Sequence, residues 1–171
     1  LIRSILMSRT YQLSSSVQAT VKPLPQTFSY HIINPISAEA FSKSMLIAMG
    51  HYPDSSGKFK NVDSEKLRRE FAVKFPDLFP EVYSPTVQQA LFLSNNKTIE
   101  ELFISEDNLT LSIIEKQDSN TNKVKESFKL ILGREPDPEE IKVGTKFLER
   151  GPDSLKQFCW ALVSGSEFRM N

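Results

Sequence analysis

The chain has 171 residues, of which 39% are hydrophobic and 25% are charged, and its 21 basic and 21 acidic residues cancel at pH 7. This length is enough for a single domain with a sizeable core. Zero net charge removes the broad positive field that non-specific nucleic-acid binding needs, so we expect no nucleic-acid partner. The single cysteine excludes an intrachain disulfide, and no apolar run approaches the ~20 residues of a membrane-spanning helix.

The first 36 residues predict little regular structure. Apolar residues share one helical face in residues 1–8, which we interpret as the end of a truncated helix, and the start at Leu1 rather than Met indicates a fragment of a longer protein. The apolar face left without upstream partners is expected to make the chain self-associate or bind a hydrophobic dye. Residues 9–36 are rich in Ser, Gln, Thr and Pro and predict an extended connecting segment. Its predicted anchors to a core are Tyr11, Leu13, Phe28, Tyr30 and Ile32.

Residues 37–122 are predicted to form a helical middle region. Ser37 is expected to cap a helix that ends at Gly50, and Asp63 or Ser64 a charged helix that ends near residue 75. The proline-rich and aromatic residues 75–86 predict a rigid irregular connection. Three further predictions concern the rest of this region: Ser84 as a cap with Pro85 as first helical residue, Thr98 with Glu101 as a capping box, and helix rather than extended structure over residues 106–116.

Residues 123–171 predict three short helices that pack together. Gly133 and Gly151 end the first two, and Asp137 followed by Pro138 begins the second. Asp153 is predicted to cap the third helix, whose Trp160 is expected to be among the most buried side chains. The predicted fold is therefore all-α: one domain over residues 1–171, an irregular helical bundle with long Pro/Ser-rich connections and a C-terminal helical hairpin.

Residues with chemical potential favour structural interpretations. His31 and His51 have no metal-ligand spacing around them, and Cys159 lies in an apolar helical run that would raise its pKa and keep it inert. Adjacent carboxylates lie in predicted first helical turns, where the helix dipole explains them: Glu100 with Glu101, Asp137 with Glu139, and Glu139 with Glu140. No phosphate-binding loop or nucleophile elbow is present.

One set of neutral polar residues is a candidate interaction surface. Gln88, Gln89, Asn95 and Asn96 offer amide groups that could hydrogen-bond a sugar or a peptide. A helix C-cap is the favoured explanation for the two asparagines. We therefore predict no catalytic, cofactor-binding or metal residue and keep these four as the candidate surface.

Several segments, in order, resemble one family: SRTYQLSS at 8–15, PISAEAF at 35–41, SPTVQQALFLSNN at 84–96, LGREPDPEEI at 132–141 and WALVSGSEF at 160–168. Together they resemble the C-terminal part of the domain of unknown function 1553, found in large proteins of planctomycetes and related bacteria. Residues 28–37 depart from the pattern, because relatives tend to carry arginines there. The C-terminal hairpin also resembles the domain of unknown function 4214, which has a similar LGREPD and S-EF pattern.

The resemblance implies an exported protein, periplasmic or at the cell surface, in which this domain is joined to a cytochrome-c-like domain. It implies no catalytic residue, and any haem would belong to a separate domain of the parent protein. The predicted function is a non-catalytic structural or interaction module whose partners are neighbouring domains of the same protein, with a carbohydrate or protein ligand left open. The alternative is part of an enzyme whose active site is completed by upstream domains.

Overall fold

A computed structural model describes residues 1–15, 23–31, 34–75, 86–104 and 108–170. These residues form two compact units, one from the described part of Leu1–Pro35 with Met170 and one from that of Ile36–Arg169. Regular structure in these ranges is helical apart from two isolated β-bridges, which confirms the predicted all-α class.

The N-terminal unit contains the short helix α1 (Ile2–Leu6) and a single 3-10 turn (Pro25–Thr27). The predicted aromatic anchors are wrong at Tyr11 and Phe28, whose side chains are 52% and 71% exposed. The described residues of this unit thus leave both rings at the surface. Leu13 and Tyr30 are half-buried, and Ile32 lies outside the described residues.

The second unit is built from nine helices within the described ranges. They are α2 (Ala38–Ala48), α3 (Ser64–Lys74), α4 (Val87–Asn95), α5 (Lys97–Ile104), α6 (Leu109–Glu115), α7 (Asn120–Leu132), α8 (Pro138–Leu148), α9 (Ser154–Ser164) and α10 (Ser166–Arg169). The favoured helix within residues 106–116 is confirmed, whereas α10 is an additional helix that the sequence did not predict.

Most predicted helix ends are present. Ser37, Asp63 and Asp137 each accept a backbone N–H of the following first turn. Gly133 adopts the left-handed conformation (φ 69°) that ends α7. Local side-chain chemistry therefore decides these boundaries.

Three predicted helix starts need correction. Helix α4 begins at Val87 with Thr86 as its N-cap, and the predicted Ser84 and Pro85 lie outside the described residues. Helix α5 begins before Thr98, because the side chain of Asn96 already accepts the N–H of Ile99 at 3.0 Å. Helix α7 begins at Asn120, three residues before the predicted boundary. The predicted irregular connection falls almost wholly on residues 76–85, outside the described ranges.

An aromatic cluster joins the helices of the middle region. The ring of Phe41 in α2 meets those of Phe71 and Phe75 edge to face, with centroids 5.0 and 5.1 Å apart. Phe92 of α4 packs edge to face on Phe71 at 5.2 Å, and Phe168 of α10 lies 6.0 Å from Phe41. Such ring pairs add to the stabilisation from burying their area, so this cluster fixes α2, α3, α4 and α10 around one core.

Helices α7, α8 and α9 pack against one another as the predicted C-terminal unit. Helix α8 lies close to α7 at Gly144, where an added Cβ would be 2.8 Å from Cγ2 of Val124. Leu155, Cys159 and Val163 of α9 are buried and spaced four residues apart, so they form the core-facing stripe of that helix. This orientation determines which residues of α9 can line a groove with α4 and α5.

Candidate functional site

A groove of about 510 Å³ lies between α9 on one side and α4 with α5 on the other. Its apolar wall is formed by Leu93 of α4, Phe103 of α5 and Trp160 of α9. Leu93 and Phe103 are buried members of the core, so the groove reaches down to the core of this unit. A concave apolar surface with polar groups at its edge is the usual form of a ligand-binding site.

The prediction that Trp160 is among the most buried side chains is wrong, because the side chain is half-buried and lines the groove. Successive helical residues are rotated by about 100°, so the residue after Cys159 cannot lie on the same core-facing stripe. Nε1 of Trp160 donates to the carbonyl oxygen of Leu93 at 3.4 Å. This contact holds the indole against the last turn of α4.

Three charged side chains surround this apolar wall: Glu100 of α5, Asp153 before α9, and Lys156 of α9. Within the described ranges, none of the three forms a side-chain hydrogen bond or an ion pair. Isolated surface charges are common, but here they converge on one groove. They remain available to a bound molecule.

Asp153 was predicted to cap α9, and that prediction is wrong because its side chain accepts no backbone N–H. Its backbone is helical (φ −85°, ψ −4°), whereas a residue that caps a helix with its side chain has a non-helical backbone. The Oγ of Ser154 lies 2.6 Å from the carbonyl oxygen of Gly151 and 3.0 Å from that of Leu148, so its single proton is shared between these two acceptors. The carboxylate of Asp153 therefore makes no side-chain hydrogen bond or ion pair with any residue that the structure describes.

Of the candidate polar residues Gln88, Gln89, Asn95 and Asn96, only Asn96 lines the groove. Its amide is already engaged, since Nδ2 donates to Glu70 at 2.7 Å and Oδ1 caps α5. Gln89 completes the capping box of α4 with Thr86, while Gln88 and Asn95 are exposed. The structure thus gives Gln89 and Asn96 structural partners.

The groove contains polar residues that the sequence analysis missed. Ser94 and Gln157 lie at its edge together with the charged side chains. Ser94 donates to the carbonyl oxygen of Ala90 at 2.8 Å, whereas the exposed amide of Gln157 makes no side-chain hydrogen bond to any described residue. One sequence signal could have found this face, because Gln157 and Trp160 both fall off the Leu155–Cys159–Val163 stripe by helical periodicity.

The remaining chemically reactive residues occupy structural positions. Cys159 is buried, and its burial raises the thiol pKa to about 12, the direction expected for a thiol in an apolar helical run. His51 is buried in the helical unit and His31 is half-buried in the N-terminal unit. Across the ranges described above, no three His, Cys, Asp or Glu side chains come close enough together to hold a metal ion.

The residues of the LGREPD and SEF motifs meet in an ion-pair network. The guanidinium of Arg134 binds both oxygens of Glu140, at 2.6 and 2.8 Å, and also donates to Glu167 of α10. It lies 5.0 Å from the ring centroid of Phe128 in α7. The Glu140 carboxylate also accepts the N–H of Asp137, which completes a capping box at the start of α8.

Hydrogen bonds from Arg134 lower the pKa of Glu140 to about 2 and also lower the pKa of Glu167. These carboxylates are therefore ionised partners of a fixed cation. The network connects the α7–α8 loop with α10, so we assign these motif residues a role in holding the fold.

In the part of the chain that the structure describes, no helix is both long enough and apolar enough to cross a bilayer. No protein-family model matches the chain, and comparisons with curated proteins and with solved structures likewise find no match.

Proposed function

We propose that this chain is a non-catalytic interaction module and that the groove between α4, α5 and α9 is its docking surface. The observation that carries the proposal is the arrangement at Trp160: a half-buried indole beside buried Leu93 and Phe103. Three charged side chains surround it, and none of them has a side-chain partner among the described residues. Tryptophan is among the side chains that most often carry the binding energy of a protein interface.

The surroundings of the module follow from the sequence resemblance alone. We propose that it belongs to a larger exported bacterial protein that also carries a cytochrome-c-like domain. The docking partner would then be a neighbouring domain of that protein, and any haem would be bound there. The Arg134 network supports a structural role for the motif residues that carry part of this resemblance.

The test uses the single tryptophan of the chain as a reporter. The chain is labelled with 5-fluorotryptophan and mixed with the unlabelled neighbouring domains of its parent protein, and the fluorine resonance of Trp160 is followed. Docking should shift or broaden the resonance in a saturable manner. An unrelated protein at the same concentration should have no effect.

A matched pair of variants locates the contact. Ser94→Arg adds a bulky side chain at the edge of the groove and should block the shift, whereas Ala90→Arg on the same helix is exposed and does not line the groove. A resonance that ignores the neighbouring domains, or equal effects of both variants, would refute the proposal. Turnover of a substrate by the reassembled protein, lost in Glu100→Gln or Asp153→Asn, would favour the enzyme alternative instead.

A further inference from the structure

Resting on the proposed function, we infer that the groove accepts a protein segment in which a large apolar side chain is flanked by basic side chains. The inference concerns the chemistry of the occupant. It rests on the shape of the groove and on the charges that surround it.

The apolar part of the groove favours one large side chain. Leu93, Phe103 and Trp160 come from three different helices and converge on a space of about 510 Å³. This volume is enough for a leucine or phenylalanine side chain with adjoining backbone. Burying such an anchor against an indole removes apolar surface from water on both partners, which is the main source of affinity in small interfaces.

The charges at the edge favour basic flanking residues. Glu100 and Asp153 outnumber Lys156, and none of the three is neutralised by a described residue. A basic segment can pair with both carboxylates, whereas an acidic segment would meet two like charges and one opposite charge. The excess of carboxylates therefore favours a bound segment with positive charge.

Polar groups remain for the backbone of such a segment. The amide of Gln157 offers donors and an acceptor and has no side-chain partner among the described residues. Lys156 can donate to a backbone carbonyl oxygen. A neutral sugar could also stack on the indole, but it would leave Glu100 and Asp153 without a counter-charge.

The experiment follows Trp160 fluorescence during titration with synthetic peptides that lack tryptophan. The probe is Ac-Lys-Leu-Phe-Lys-NH2, and its mirror in charge is Ac-Glu-Leu-Phe-Glu-NH2. We expect saturable binding of the basic peptide, binding of the acidic peptide at least about tenfold weaker, and affinity that falls as salt rises. Maltotriose is titrated in parallel as the carbohydrate arm.

Variants assign the effect to the two carboxylates. Glu100→Gln combined with Asp153→Asn should weaken the basic peptide about fivefold, the result expected for two solvent-exposed ion pairs. Glu101→Gln is the matched control, because Glu101 is an exposed carboxylate on the same helix that does not line this groove. Circular dichroism checks that each variant is folded.

Several outcomes would overturn the inference: no saturable change with the basic peptide, equal affinity for the two peptides, binding of maltotriose alone, or an unchanged affinity in the double variant. If the fluorine resonance of Trp160 responds to the neighbouring domains while the basic peptide does not bind, the docking function stands and this assignment fails. If the peptide binds but the neighbouring domains do not, the inferred chemistry of the occupant stands, and the partner given in the proposed function is wrong.

Discussion

Replacing Arg134 by alanine tests whether the LGREPD and SEF motif residues hold the fold. The side chain contributes a two-oxygen pairing with Glu140, a second pairing with Glu167 and a position over the Phe128 ring. The pKa of Glu140 falls from an ordinary value of 4.5 to about 2. Converted directly, a shift of that size corresponds to about 3 kcal/mol of stability.

Solvent screening reduces this figure. The side chains of Glu140, Arg134 and Glu167 are 29%, 37% and 52% exposed, so part of the Coulombic attraction is lost to water. The contact of Arg134 with the Phe128 ring adds roughly 0.5 kcal/mol. We therefore expect Arg134→Ala to lower the free energy of unfolding by about 2 kcal/mol near neutral pH.

The assay is urea unfolding followed by circular dichroism. Arg68→Ala is the control and should cost less than about 0.5 kcal/mol, because among the described residues Arg68 forms an ion pair only with the exposed Glu65 on its own helix. The pKa of Glu140 is lower in the folded state than in the unfolded state. Its contribution is therefore complete above about pH 5 and is lost as the pH falls through the folded value of about 2.

The difference between wild type and Arg134→Ala should consequently shrink on acidification. If Arg134→Ala lowers the free energy of unfolding no more than Arg68→Ala does, the claim that the network stabilises the fold is refuted. A difference that stays constant from neutral pH down to about pH 2 would refute the electrostatic explanation of it.

Three further predictions follow from particular contacts. Asp137→Ala should cost about 1 kcal/mol in urea unfolding because it removes two cap hydrogen bonds, whereas Asp153→Ala should change stability by less than about 0.5 kcal/mol, and equal costs would contradict the assigned caps. Gly144→Ala should lower the free energy of unfolding by about 1 to 3 kcal/mol, because its Cβ would lie 2.8 Å from Val124, and an unchanged thermal midpoint would show that α7 and α8 can separate without cost. Cys159 should resist alkylation in the folded protein and react fully in urea, and rapid native labelling would mean that the thiol is not buried.

Local signals predicted the helices well. Ser37, Asp63 and Asp137 cap their helices because a side-chain oxygen needs only the next three residues to find its partner. Gly133 ends α7 for a similar local reason, since its left-handed conformation is one that glycine adopts without strain. These features depend on a few neighbouring residues and can be identified from sequence.

The groove could not be predicted in that way. It forms where Leu93 meets Trp160, 67 residues further along the chain, and the hydrogen bond between them is a product of tertiary packing. Asp153 looked like a cap, but its backbone is helical and its side chain makes no cap hydrogen bond. The Arg134 pairing with Glu167 likewise spans 33 residues. Pairings at such distances carry no periodic signal in one sequence.

The central claim is that the α4–α5–α9 groove is a docking surface, and hydrogen exchange measures this most directly. We expect the amides of Lys97–Ile104 and Ser154–Ser164 to exchange more slowly in the proposed larger protein than in this chain alone. Ser64–Lys74, whose helix does not line the groove, should exchange equally in both. Identical exchange of all three helices in the two proteins would contradict the account.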